Sequence, residues 1–235
     1  MTSKATYYLT PDSAGTAFMG SGYTPDGTIP AGAIPCTQEQ AQNFQAYVPS
    51  NGEIVAAPNA VLLAQARAAQ IVTLRQACSN AITSGIPVTV STGSYTLANT
   101  PTDQVNALMA SQTAQGALAK AQAWAASTNY APNSLCSVGG VVLWTQDGGK
   151  SGSSAPTAPS EFGVPVTDGA VTWELMGLLA GLAAGGTIFL TPQDTISAFE
   201  QGVAYIEAQR GQYKQLKAQV FAATTVAEVQ AIVWP

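Results

Sequence analysis

Four carboxylates, Asp147, Glu161, Asp168 and Glu174, fall within one stretch rich in Gly, Ser and Pro, and paired carboxylates are what hydrolysis of a glycosidic bond requires. Asp147-Gly148 and Asp168-Gly169 are also turn dipeptides, which is the plainer reading of both. Gly149-Lys150-Ser151 matches the end of a phosphate-binding loop. That loop needs a further glycine five residues before Gly149 so that the backbone can wrap the phosphate, and Trp144 stands there instead. The chain has no histidine, which removes the usual general base of nucleophilic triads and the commonest metal ligand together. Cys36, Cys78 and Cys136 are far apart, odd in number and without CxxC spacing, so they read as buried free thiols rather than as a metal site or a disulfide framework. No catalytic, cofactor-binding or metal-binding residue is assigned, no cofactor is expected, and the chain reads as a non-enzyme. Trp144, Phe162 and Trp173 remain. Their faces suit stacking against the apolar C–H faces of sugar rings or contact with a partner, and Trp144 and Trp173 alternatively form a small core.

Composition narrows the partners. Of 235 residues, 46% are apolar but only 9% are charged, against roughly 25% in ordinary soluble domains. Ala, Gly, Thr, Ser and Gln cover the surface instead, and such a surface packs closely with neighbours because little charge must be desolvated. This points to a protein living inside an assembly, including contact with its own copies as a homo-oligomer. Eight Lys and Arg, scattered singly in a chain of net charge −5, form no basic stripe, so nucleic acid is not expected as a partner. The opening MTSKATYYLTPDS has no apolar core behind Lys4, which argues against a secretory signal peptide and for synthesis and folding in a cytoplasm. The nearly apolar run 175–190 is 16 residues with four glycines, shorter than the ~20 that span a bilayer, so it is expected to form a buried turn and strand with no membrane insertion.

The elements that would position these residues alternate between helix and hairpin patterns, and the expected fold class is α+β: a helical body with short β-hairpins and an inserted small β-rich module. Residues 1–57 read as a β-rich, short-helix segment. In it a Thr37/Gln40 capping box opens a helix through Phe44, Tyr47 and Val48 that Pro49 stops, and Asn51-Gly52 turns into Ile54-Val55. Residues 58–132 read as the first part of the helical body. Ile71, Leu74, Cys78 and Ile82 mark the buried face of one helix, a hairpin spans 87–97, and Thr100-Pro101-Thr102-Asp103 starts a helix over about 101–126. Residues 133–178 read as the β-rich module, with a separable core within 139–174. Residues 179–235 complete the helical body: Thr191-Pro192-Gln193-Asp194 opens the longest helix, and Thr225/Glu228 caps a last short one. Along the long helix Ile196, Phe199, Val203, Ile206, Tyr213 and Val220 form a seam, of which the first four are expected to be buried, while Arg210 and Lys217 mark where that seam reaches water.

Three stretches resemble bacteriophage tail sequences. Tyr7-Tyr8, the turn residues after it, Ile29-Pro30-Ala31-Gly32-Ala33-Ile34-Pro35 and Thr37-Gln38-Glu39 resemble the opening of tail-fibre assembly and tail-fibre-associated proteins. The pattern over 61–97 and 187–235, closing on Thr225, Glu228, Val229, Ile232, Trp234 and Pro235, is similar to a tail-fibre domain of uncharacterised function. Gly149-Lys150-Ser151-Gly152, Ala155-Pro156, Gly163 and Asp168-Gly169-Ala170-Val171-Thr172-Trp173 resemble a short β module of phage structural proteins, with Lys150 and Ala170 where Thr is usual. Residues 101–135 lie outside these resemblances. They imply a structural component of the virion tail, in fibre or baseplate, whose partners are other phage tail or fibre proteins and whose role includes host attachment. The alternatives are a transient fibre-assembly chaperone and a module binding a host surface glycan.

Overall fold

The computed structural model describes residues 6–235; the N-terminal reading built on Lys4 lies outside them. The fold is α+β, with five helices among many short strands in the described residues. The chain divides into two compact units, residues 1–74 with 215–235 and residues 75–214.

In the first unit, β1 (Thr6–Pro11) lies at the centre of a three-stranded antiparallel sheet between β2 (Phe18–Thr24) and β3 (Ile34–Cys36). Leu9, at its centre, is fully buried. The Thr37/Gln40 capping box forms as expected at the start of α1 (Gln38–Gln42). The helix does not continue to Val48. One 3-10 turn (Phe44–Ala46) intervenes, and Tyr47 and Val48 enter β4 (Tyr47–Ser50), paired with β5 (Glu53–Ala56). Asn51 and Gly52, at φ 51° and 81°, make the tight turn whose twist matches a hairpin, and that turn claims the residues before it for strand. α2 (Asn59–Thr83) then begins, with Leu74 buried and Arg67 donating to the Ala223 carbonyl at 2.7 Å.

In the second unit, Cys78 on the last turns of α2 is buried, as its helical spacing required. The hairpin forms from β6 (Ile86–Val90) and β7 (Gly93–Leu97). α3 (Pro101–Lys120) starts on the Thr100/Asp103 capping box but ends six residues short of the expected 126. Ala121 leaves helical geometry, and Gln122 and Ala123 become β8 (Gln122–Ala123). The cause is tertiary: Trp124 is drawn into the β module, where its indole is hydrogen-bonded. That module comprises β9 (Asn129–Tyr130), β10 (Leu135–Val138), β11 (Val141–Trp144), β12 (Gly149–Lys150), β13 (Val166–Asp168) and β14 (Val171–Leu175). Five strands form one sheet in the order β13-β14-β11-β10-β8, and β9 pairs with β12 beside it. The β structure therefore begins at Gln122, upstream of the sequence-read boundary. β15 (Leu178–Gly181) and β16 (Thr187–Leu190) form a hairpin from the apolar run, though Leu179 and Phe189, opposite each other on one face, stay exposed.

α4 (Pro192–Ala222) is the longest helix; its packed face differs from the expected seam over the first four turns, whereas Val220, on the seam near its end, is fully buried. Ala198 and Gly202 are buried and lie against β6, where a Cβ on Gly202 would come within 3.2 Å of Ile86. Small residues allow that close approach. Ile196, Phe199 and Ile206 are consequently half-buried on its flank, and Val203 is 47% exposed. Arg210 does face water and pairs with Glu207 at 2.8 Å, and Lys217 stands 6.0 Å from the Phe221 ring. α5 (Val226–Gln230) closes the first unit on the expected Thr225/Glu228 box, with Val229 fully buried.

The start of α4 carries an acid-sensitive anchor. Asp194 accepts from the Ser91 N–H (2.9 Å), the Ser91 hydroxyl (2.6 Å) and the Thr191 hydroxyl (2.8 Å), fastening the β6–β7 turn to the helix. Burial pushes the Asp194 carboxyl up, but the hydrogen bonds from Ser91 and Thr191 outweigh it and hold it below its ordinary 3.8. A carboxyl depressed on folding adds stability that is present above the unfolded value and lost as pH falls through the folded one. Asp194→Asn should therefore be less stable at neutral pH and lose less stability than the wild type below about pH 4, as read by urea unfolding across pH. The face of α4 is tested separately: Leu216→Ala, at a buried position, should cost about 2–5 kcal/mol. Val203→Ala, at an exposed one, should cost under about 0.5 kcal/mol. Equal losses would restore the heptad seam.

Candidate functional site

The module is organised around Asp168, which is buried. One carboxylate oxygen accepts from the Trp124 indole at 2.7 Å and the Trp173 indole at 3.1 Å; the other accepts from the Gly152 N–H at 2.7 Å. Trp173 is fully buried and meets Tyr130 edge to face at 4.9 Å. Leu143, Val171, Leu175 and Cys136 complete this core. Burial, and after it the nearby negative charge of Asp168, pushes the Cys136 thiol up to about 11, so it is not poised as a nucleophile.

The residues that suggested chemistry are thereby sorted. Asp168 is spent on accepting three hydrogen bonds that hold the module together. Asp147 and Glu161 are exposed, and Glu174 is half-buried elsewhere, on the strand pairing with β11. Gly149 and Lys150 lie in a strand paired with Asn129 and Tyr130, which is no phosphate loop. Among the described residues, no group of three or more His, Cys, Asp or Glu is placed to hold a metal ion.

The three aromatic candidates part company. Trp173 is core and reaches no ligand. Trp144 and Phe162 instead line an open cleft of about 490 Å³ together with Asn133, Glu174, Met176 and Phe189. Trp144 stands opposite Glu174 in the β11–β14 pairing, so both side chains leave the same face of the sheet. The Phe162 and Phe189 rings lie 5.6 Å apart, tilted by 36°. Gly177 makes room for both: a Cβ there would come within 2.7 Å of Phe162 and 3.1 Å of Phe189. Phe189 was not among the sequence candidates. The signal was present in the Thr187-Ile188-Phe189-Leu190 alternation, which places Phe189 on the face opposite Ile188 and buried Leu190.

The same unit holds a larger apolar groove, about 520 Å³, lined by Leu108, Leu178, Leu179, Phe199, Val203 and Ile206 among others. The flank of α4 that the seam reading buried forms one of its walls.

Comparison with known proteins finds no matching family model, no matching curated protein and no matching solved structure.

The Asp168 hub predicts a specific loss. Asp168→Ala strands two indole N–H donors, one fully buried and one partly so, and should destabilise the protein by about 2–4 kcal/mol. Glu161→Ala, at an exposed position of the same module, should change stability by less than about 0.5 kcal/mol in the same denaturation series.

Proposed function

We propose that this chain is a non-enzymatic structural component of a bacteriophage tail, in the fibre or baseplate, which assembles with other tail proteins and with further copies of itself. The observation that carries the reading is the use made of the Gly149-Lys150-Ser151-Gly152 and Asp168-to-Trp173 segments, the ones that resemble a phage structural module. Gly152 donates to Asp168, Asp168 binds two indoles, and Trp173 is the centre of the core. Gly152, Asp168 and Trp173 of the motif are spent on architecture, as suits a building block.

Two further observations agree with that role. The surface is poor in charge, and the apolar groove beside α4 is left open with Leu108 45%, Leu179 57% and Val203 47% exposed. Contiguous apolar surface of this kind marks a contact site more often than free solvent-facing structure. In this reading the protein is made in the bacterial host cytoplasm and ends in the virion tail.

Mass spectrometry of purified virions tests it. The chain should appear in intact particles at a fixed ratio to the other tail proteins. Presence in lysates with assembling fibres but absence from finished particles would replace the structural reading by that of a transient assembly chaperone.

A further inference from the structure

We infer that the Trp144/Phe162/Phe189 cleft is a binding site for a neutral pyranose sugar chain. The inference concerns the isolated chain and does not rest on the tail reading.

Three features of the cleft point to that chemistry. The first is the aromatic wall. Phe189 is 51% exposed and Phe162 and Trp144 are half-buried, so three ring surfaces are open to a ligand in one concavity of about 490 Å³, a size usual for small-molecule sites. Gly177 holds the two Phe rings over bare backbone, and any larger residue there would displace them.

The second is the polar complement. The module has three indoles: those of Trp124 and Trp173 donate to Asp168, whereas among the described residues the Trp144 N–H has no protein partner. Nor do the side-chain amide of Asn133 and the carboxylate of Glu174, both at the cleft. An acceptor-only carboxylate, an amide with both functions and an indole donor match the mixed donor and acceptor character of ring hydroxyls. The C–H faces of a pyranose match the aromatic rings. An apolar protein surface laid over the cleft would instead bury a carboxylate and an amide without partners, which is strongly unfavourable.

The third is charge. Glu174 supplies a negative group inside the cleft of a chain whose net charge is −5, so uronic or sialic acids are repelled and neutral sugars are favoured. The carboxylates weighed for hydrolysis do not converge here, which makes this a binding cleft and not a cleavage site.

The test uses the full chain labelled with nitrogen-15, whose four tryptophans give four indole N–H signals. It is titrated with maltotriose, a galactotriose, chitotriose and, as an acidic counterpart, a galacturonic trisaccharide. At least one neutral trisaccharide should move the Trp144 signal saturably at millimolar concentration while the Trp173 signal stays in place, and the acidic one should not. Phe189→Ala, which removes an exposed ring, should weaken that binding about tenfold or more, and Glu174→Gln should weaken it while relaxing the discrimination against the acidic sugar. The unfolding midpoint of each variant, unchanged from the wild type, shows that the fold is intact. No movement of the Trp144 signal with any neutral trisaccharide overturns the inference. So does binding that Phe189→Ala leaves unchanged, and so does a response to a basic peptide such as triarginine in place of the sugars.

Discussion

Three donors converging on one buried carboxylate are the constraint from which the architecture of the β module follows. Asp168 takes hydrogen bonds from partners 44, 5 and 16 residues away in sequence, Trp124, Trp173 and Gly152. Trp173 is thereby oriented in the core with its edge to Tyr130. Gly152 is held so that the long loop after it starts from a defined place. Trp124 is pulled out of what would otherwise be a continuing helix, which ends α3 at Lys120 and supplies β8 to the edge of the sheet. Unpaired donors in a low-dielectric interior are costly, so the three contacts succeed or fail together.

Local signals were legible in the sequence because they are satisfied by residues close along the chain. The Thr37, Thr100 and Thr225 caps and the Thr191 start of α4 each depend on a side chain bonding to nearby backbone, the Asn51-Gly52 turn on two residues of positive φ, and the hairpin expected over 87–97 on the pairing of adjacent strands, and each stands where it was expected. What was not legible depends on distant partners. Asp168-Gly169 does make the turn between β13 and β14, but nothing in the dipeptide shows that its carboxylate collects two indoles. On α4 the large residues drew the seam, while the true packed face is marked by Ala198 and Gly202, whose value lies in how closely they let β6 approach. In the cleft, Trp144 and Phe162 could be proposed from residue type, Trp173 could not be told apart from them, and Phe189 was hidden in a run read as buried.

The two recesses of residues 75–214 differ in their apolar groups, mainly aliphatic in one and aromatic in the other, and the difference follows from which elements build them. The groove along α4 is walled by helices and the 178–190 hairpin and offers mainly aliphatic side chains together with Asp103, Gln104, Glu207 and Arg210. The cleft is framed by sheet strands and the loop carrying Phe162, where the β11–β14 pairing sets Glu174 beside Trp144. One surface suits association with another apolar face, the other suits a hydroxylated ligand. Both need the β15–β16 hairpin, which contributes Leu179 to the first and Phe189 to the second.

The scarcity of charge has a consequence for the conditions this protein tolerates. Among the described residues the ion pair found is Arg210 with Glu207, on the surface of a single helix and more than half exposed. Such a pair contributes little, and dissolved salt screens it further. Most of what else shapes the described residues consists of caps, hairpin ladders, hydrogen bonds to the buried Asp168 and Asp194 carboxylates and apolar contacts, which mobile ions barely weaken. The fold should therefore hold much the same shape in dilute fresh water and in brine, because dissolved electrolyte finds almost nothing in it to neutralise.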